Sequence, residues 1–92
     1  MLIPKKKQMI KLVEIVLDQD HYHLRELIVN STHIISISSD IHAAALHANG
    51  KLPEGLHDAQ QFSKIMLTNG KEIIVVGNPD VVGKKAKNIL HG

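Results

Sequence analysis

The sequence predicts a small single-domain α+β protein: a mainly antiparallel β-sheet of about five strands, with a C-terminal helix and a partly helical insertion. Three observations carry this. Short runs rich in Ile, Leu and Val recur between clusters of turn-forming residues. The pair Asn69-Gly70 stands between two such runs, and Asn-Gly is a strong local hairpin signal when both residues of a two-residue turn take φ > 0. Gly77-Asn78-Pro79-Asp80 then supplies a break, an N-cap, a proline at the first helical position and an early acid.

Taken in order, Met9 to Leu17 is a near-continuous apolar run closed by Asp18-Gln19-Asp20, all turn formers, and it reads as a strand with a helix as the alternative. Tyr22 to Val29 alternates between two faces and ends in β-branched residues, so it is a second strand. Asn30-Ser31-Thr32 turns the chain. His33 to Ser38 is a third strand, with His33, Ile35 and Ile37 expected on one face and Ile34, Ser36 and Ser38 on the other. Asp40 is a plausible N-cap for a short helix over Ile41 to Ala48, which Asn49-Gly50 ends. Lys51 to Gln61 carries Pro53 and Gly55 and reads as loop, so residues 40–61 form an exposed, mobile or partner-facing insertion. Its leucines, Leu46, Leu52 and Leu56, are candidates to dock on a partner or a second subunit. Phe62 to Thr68 and Lys71 to Val76 are the arms of the hairpin. In the last helix, Pro79 to Leu90, residues Val82, Ala86, Ile89 and Leu90 share a stripe expected to be buried.

Ninety-two residues, 43% hydrophobic and 22% charged, make one globular domain spanning residues 1–92. Eleven basic residues against nine acidic ones leave a net charge of +2, too small for a global field that draws in a polyanion. Basic character is local: Lys5, Lys6 and Lys7 lie in a tail over residues 1–8, and Lys84, Lys85 and Lys87 cluster near the other end. A short lysine run in a tail is more often a solvated segment than a binding arm. Tyr22 and Phe62 are the only aromatic residues of the Phe, Tyr and Trp set, which weighs against stacking bases on a sheet face. The absence of cysteine removes disulfide, thiolate-zinc and thiol-nucleophile chemistry and fits a cytoplasmic location. The start is expected to be neither a signal peptide nor a membrane span, because Lys11 and Glu14 interrupt its apolar run.

Seven histidines invite a metal reading. Helical ligands want spacings of three or four, whereas His42 and His47 are five apart and lie roughly 140° apart around the axis. His57 follows ten residues later without supporting carboxylates or thiolates, so these three are expected to be surface residues and not ligands. His21 and His23 share a strand face but lack a third ligand. No serine sits in a nucleophile elbow and no glycine pattern makes a phosphate loop. The chain is therefore expected to be non-enzymatic, with no catalytic residue, cofactor or metal.

RELIVNSTHIISIS and IMLTNGKEIIVVGNPDVVGKKAKNIL share a pattern of extended chain into Val-Asn, an Ile-rich strand, then Asn-Gly-Lys into a Val-rich strand and a helix. It resembles two families: the small FlbD-type proteins found with bacterial flagellar genes, whose start is also similar to MIKLVEI here, and the C-terminal half of LytTR-type DNA-binding domains. The likeness covers Met9 to Ser38 and Ile65 to Leu90. The LytTR likeness implies that Arg25 and Asn30 match positions near a DNA-facing turn; by residue type alone they read as an exposed strand charge and a turn-forming Asn. The expected function is a protein-binding or assembly module of bacterial or phage type, acting on a protein partner or as a homo-oligomer. The alternative is a nucleic-acid-binding transcriptional regulator using Lys5, Lys6, Lys7, Arg25, Asn30, Lys84 and Lys87, with no membrane association in either case.

Overall fold

The computed structural model describes the backbone of residues 9–91 and the side chains of residues 9–86. The elements are β1 (Met9–Asp18), β2 (His21–Asn30), a 3-10 turn (Ser31–His33), β3 (Ile34–Ser39), α1 (Ile41–Ala48), β4 (Phe62–Leu67), β5 (Glu72–Val76) and α2 (Pro79–His91). The five strands form one sheet in the order β2-β1-β5-β4-β3, with every pairing antiparallel. The expected α+β class and its C-terminal helix are therefore present.

That order forces the sheet to curl. β2 and β3 lie on opposite edges, four strand spacings or about 19 Å apart in a flat sheet, yet only the 3-10 turn joins them, a connection that reaches roughly 8 Å at about 2 Å of rise per residue. The edges must swing towards each other. Packing agrees: Leu27 of β2 and Ile34 and Ile37 of β3 meet the same cluster, made of Ile10, Leu12, Val29, Ile65, Ile73 and Val75. Val82 and Ala86 of α2 complete this concave-side core, as the helix stripe predicts. The stripe's other two members, Ile89 and Leu90, lie outside the described side chains.

β1 carries apolar residues on both faces because it is interior to the sheet. Ile10 and Leu12 point into the concave core, and Ile15 points to the convex side. A strand covered on both sides loses the alternation that separates strand from helix.

The insertion corrects the sequence expectation. Ala43 of α1 and Leu52 of the following loop are buried against Phe62, which is 2% exposed, and Leu46, Leu56, Tyr22, Ile15, Ile74 and Val76 pack around them. Leu46, Leu52 and Leu56 thus pack on this chain's own convex face. Asp40 caps α1 through His42 N at 3.2 Å and is tied to the sheet by its own N–H, donated to the Phe62 carbonyl at 3.0 Å. Uncovered apolar strand is the reason: without the insertion, Phe62, Ile74 and Val76 would face water, and burying each large apolar side chain is worth roughly 1.5–3 kcal/mol.

Two local expectations also change. The Asn69-Gly70 hairpin forms, but as a three-residue loop: Leu67 N donates to the Lys71 carbonyl at 2.9 Å, Gly70 N donates to the Leu67 carbonyl, and Gly70 (φ 85) alone has positive φ. A two-residue turn with both φ positive occurs instead at Gln19 (φ 49) and Asp20 (φ 67), between β1 and β2. In β3, Ile34 faces Leu67 and Ser36 faces Met66, so one extra residue bulges out. The bulge puts Ile34 and Ile37 together in the core and leaves Ile35 exposed, where simple alternation grouped Ile35 with Ile37.

Candidate functional site

The concave face carries a cleft of about 510 Å³. Leu27 and Val29 of β2, Leu67 of β4 and Ile73 of β5 give it apolar walls. Its rim is polar: Glu14 and Arg25 on one side, Asn30 and His33 at the 3-10 turn, and Thr68, Asn69 and Lys71 from the β4–β5 turn. A depression between the loop before β4 and the start of α2 has one titratable side chain, His57, and is less equipped to select a ligand.

The rim is held together by short-range chemistry. Arg25 and Glu14 are directly opposite in the β1–β2 ladder and form an ion pair at 2.7 Å, with the carboxylate side chain 12% exposed and the arginine 60%. Charge-assisted bonds of this kind are the stronger hydrogen bonds, so Arg25 is a wall of the cleft more than a loose cation. Asn30 Oδ1 accepts from Thr32 N at 3.0 Å and from Thr32 Oγ1 at 2.8 Å, which fixes the turn from β2 into the 3-10 segment. His33 Nδ1 lies 3.2 Å from Thr68 Oγ1, and Thr68 N donates to the His33 carbonyl at 2.8 Å. The two turns at this end of the sheet are therefore stitched to each other. Asn69 Oδ1 accepts from Lys71 N at 2.9 Å and orders the lysine's own turn.

Of the residues singled out from sequence, Arg25 and Asn30 come together in this cleft. Lys84 is exposed on α2, outside its lining. Lys5, Lys6 and Lys7 lie outside the described residues, and so does the side chain of Lys87. Sequence reasoning missed Glu14, His33, Thr68 and Lys71. A signal for Glu14 existed: centring a two-residue turn on Gln19-Asp20 puts Glu14 opposite Arg25. Nothing local indicated that the β4–β5 turn lies across from β2, because that depends on strand order.

Of the insertion histidines, His47 has a packing role. His47 Nε2 bonds the His57 carbonyl and its ring stands edge-on to Phe62 with centroids 5.9 Å apart, so it pins the loop over the convex core. Expected as a surface residue, it is a half-buried packing residue; His42 and His57 are exposed. Among the described residues there is no group of three or more His, Cys, Asp or Glu side chains placed to hold a metal ion, and no helix long and apolar enough to cross a membrane.

Comparison with known proteins finds no matching family model, no matching curated protein and no matching solved structure.

Proposed function

We propose that this protein is a non-enzymatic binding module that acts through protein contacts, with the outer edge of β2 as its working surface. The observation that carries this is the state of that edge. β2 pairs with β1 along all ten of its residues without a register shift, and among the described residues no strand pairs with its other side. An edge this long and regular is a template for another extended chain, and proteins commonly blunt such edges with bulges, prolines or polar residues. β3, at the opposite edge, is blunted in this way by its bulge and by Ser36, Ser38 and Ser39. β2 has no bulge or proline; its exposed polar residues His21, His23, Arg25 and Glu26 stop short of Ile28, which is 59% exposed.

The nucleic-acid alternative draws less support, because Arg25 is paired with Glu14 and the Asn30 Oδ1 is engaged in its turn. The test places a photocrosslinking amino acid at position 28, with exposed Lys51 as the control position, in cells producing the protein. Discrete protein adducts at 28 and not at 51 are expected. In parallel, labelled duplex DNA and RNA are titrated at low and moderate salt. Adducts absent at 28, together with nucleic-acid affinity that falls by about a hundredfold or more across that salt range, would replace the protein-contact reading with the phosphate-contact one.

A further inference from the structure

Resting on the β2-edge reading, we propose that the occupant is an extended peptide segment of a partner, laid along residues 26–30, whose cleft-facing alternate positions are apolar save for one carboxylate.

The backbone sets the register of the edge. A two-residue hairpin turn closes on a hydrogen-bonded pair, here Asp18 and His21, and bonded and non-bonded pairs alternate from there. His21, His23, Arg25, Leu27 and Val29 therefore direct their N–H and C=O groups to β1. Glu26, Ile28 and Asn30 direct theirs outward, beside the cleft. An added strand would bond to these groups.

Side-chain chemistry then selects what the strand carries. Alternate residues of an added strand share the concave face with Leu27 and Val29, and there they would meet the apolar walls completed by Leu67 and Ile73. The charge at the mouth is positive. Among the described residues the ion pairs are Arg25–Glu14 and Lys11–Glu26, so the carboxylates of Glu14 and Glu26, beside residues 25–28, are already compensated. Lys71 enters neither pair and stands across the cleft from β2. Glu72 follows Lys71 in sequence but pairs opposite Met66, on the convex side. A carboxylate at a cleft-facing position of the incoming strand is thus matched, and an ammonium there is opposed.

The test uses two capped probe peptides that alternate valine with threonine and carry, at one of the cleft-facing valine positions, glutamate in the first (the valine-glutamate peptide) and lysine in the second (the valine-lysine peptide), titrated to millimolar into the isotope-labelled full chain. The valine-glutamate peptide is expected to shift the amide signals of Glu26 and Ile28 and the resonances of Leu27 and Ile73. The valine-lysine peptide should bind at least about tenfold more weakly, since like charges across an interface are penalised. Lys71→Glu, a change at an exposed turn whose own spectrum checks folding, should reverse that preference. Equal binding of both peptides, shifts confined to another face, or no shift at all would overturn the proposal. So would concentration-dependent shifts of Glu26 and Ile28 without peptide, which would mean that a second copy fills the edge. Crosslinking at position 28 with no peptide selectivity would leave the protein-contact reading standing while this inference fell.

Discussion

At the scale of single residues, two buried serines show how the same side chain can help or hinder. Ser63, fully buried in β4, donates its hydroxyl to the Gly77 carbonyl at 2.7 Å and so ties the sheet to the junction between β5 and α2. Ser31, 5% exposed in the 3-10 turn, has no hydrogen-bond partner for its hydroxyl. A buried polar group without a partner carries its desolvation cost uncompensated, of order 1–3 kcal/mol, whereas a bonded one recovers it. Ser63→Ala is therefore expected to lower stability by about 1–2 kcal/mol, and Ser31→Ala to leave it unchanged or raise it by up to about 1 kcal/mol, both read from urea unfolding. A loss of more than about 1 kcal/mol in Ser31→Ala would mean that its hydroxyl is bonded after all. Neither role was visible in the sequence, where both residues are ordinary strand or turn serines. Asn30 was different: Asn before Ser-Thr is a turn former wherever it stands, and its bonds to Thr32 are the ones that residue type favours.

At the scale of elements, α2 holds a glycine that its geometry does not require. Gly83 has ordinary helical φ, and a methyl group built on it meets nothing within 4 Å. Gly83→Ala should therefore stabilise by about 0.5–1 kcal/mol, through the helix propensity difference alone, seen as a higher thermal midpoint. An unchanged or lower midpoint would show that the position needs glycine for a contact beyond the described side chains. Strand positions and both helices were legible because each has its own periodicity and punctuation, from Asp40 before α1 to Asn78-Pro79 before α2. Turn geometry was less so. Gln19-Asp20 takes the doubly positive conformation that Asn-Gly favours, while Asn69-Gly70 adopts a looser loop, because strand twist and loop length decide between them. The β3 bulge left no mark in IISISS, since either grouping of its isoleucines is apolar enough to be buried.

At the scale of the whole molecule, the sheet is sandwiched, with α2 and the cleft on the concave side and α1 and its loop on the convex side. The cleft was not legible as a site because three distant stretches build it, and only the curl imposed by the order β2-β1-β5-β4-β3 brings them together. The same order explains the misreading of residues 40–61. A long loop containing Pro53 and Gly55 with scattered leucines looks like an exposed connection when its neighbours are unknown. Once β4, β5 and β1 are known to lie side by side, Phe62, Ile74, Val76 and Ile15 form an apolar convex face that something must cover, and Ala43, Leu46, Leu52 and Leu56 are its cover. Loop-closure entropy makes a shorter connection slightly favourable, by about 1 kcal/mol for a change of this size. Losing the cover exposes several large side chains at roughly 1.5–3 kcal/mol each. The second effect wins, and its sum rivals the 5–15 kcal/mol that holds a typical domain together. Replacing residues 41–61 with a short Gly-Ser linker is therefore expected to abolish cooperative unfolding in urea and to raise binding of a hydrophobic dye. A shortened chain that still unfolds in one sharp transition near the full-length midpoint would show that the convex core adds little to the fold.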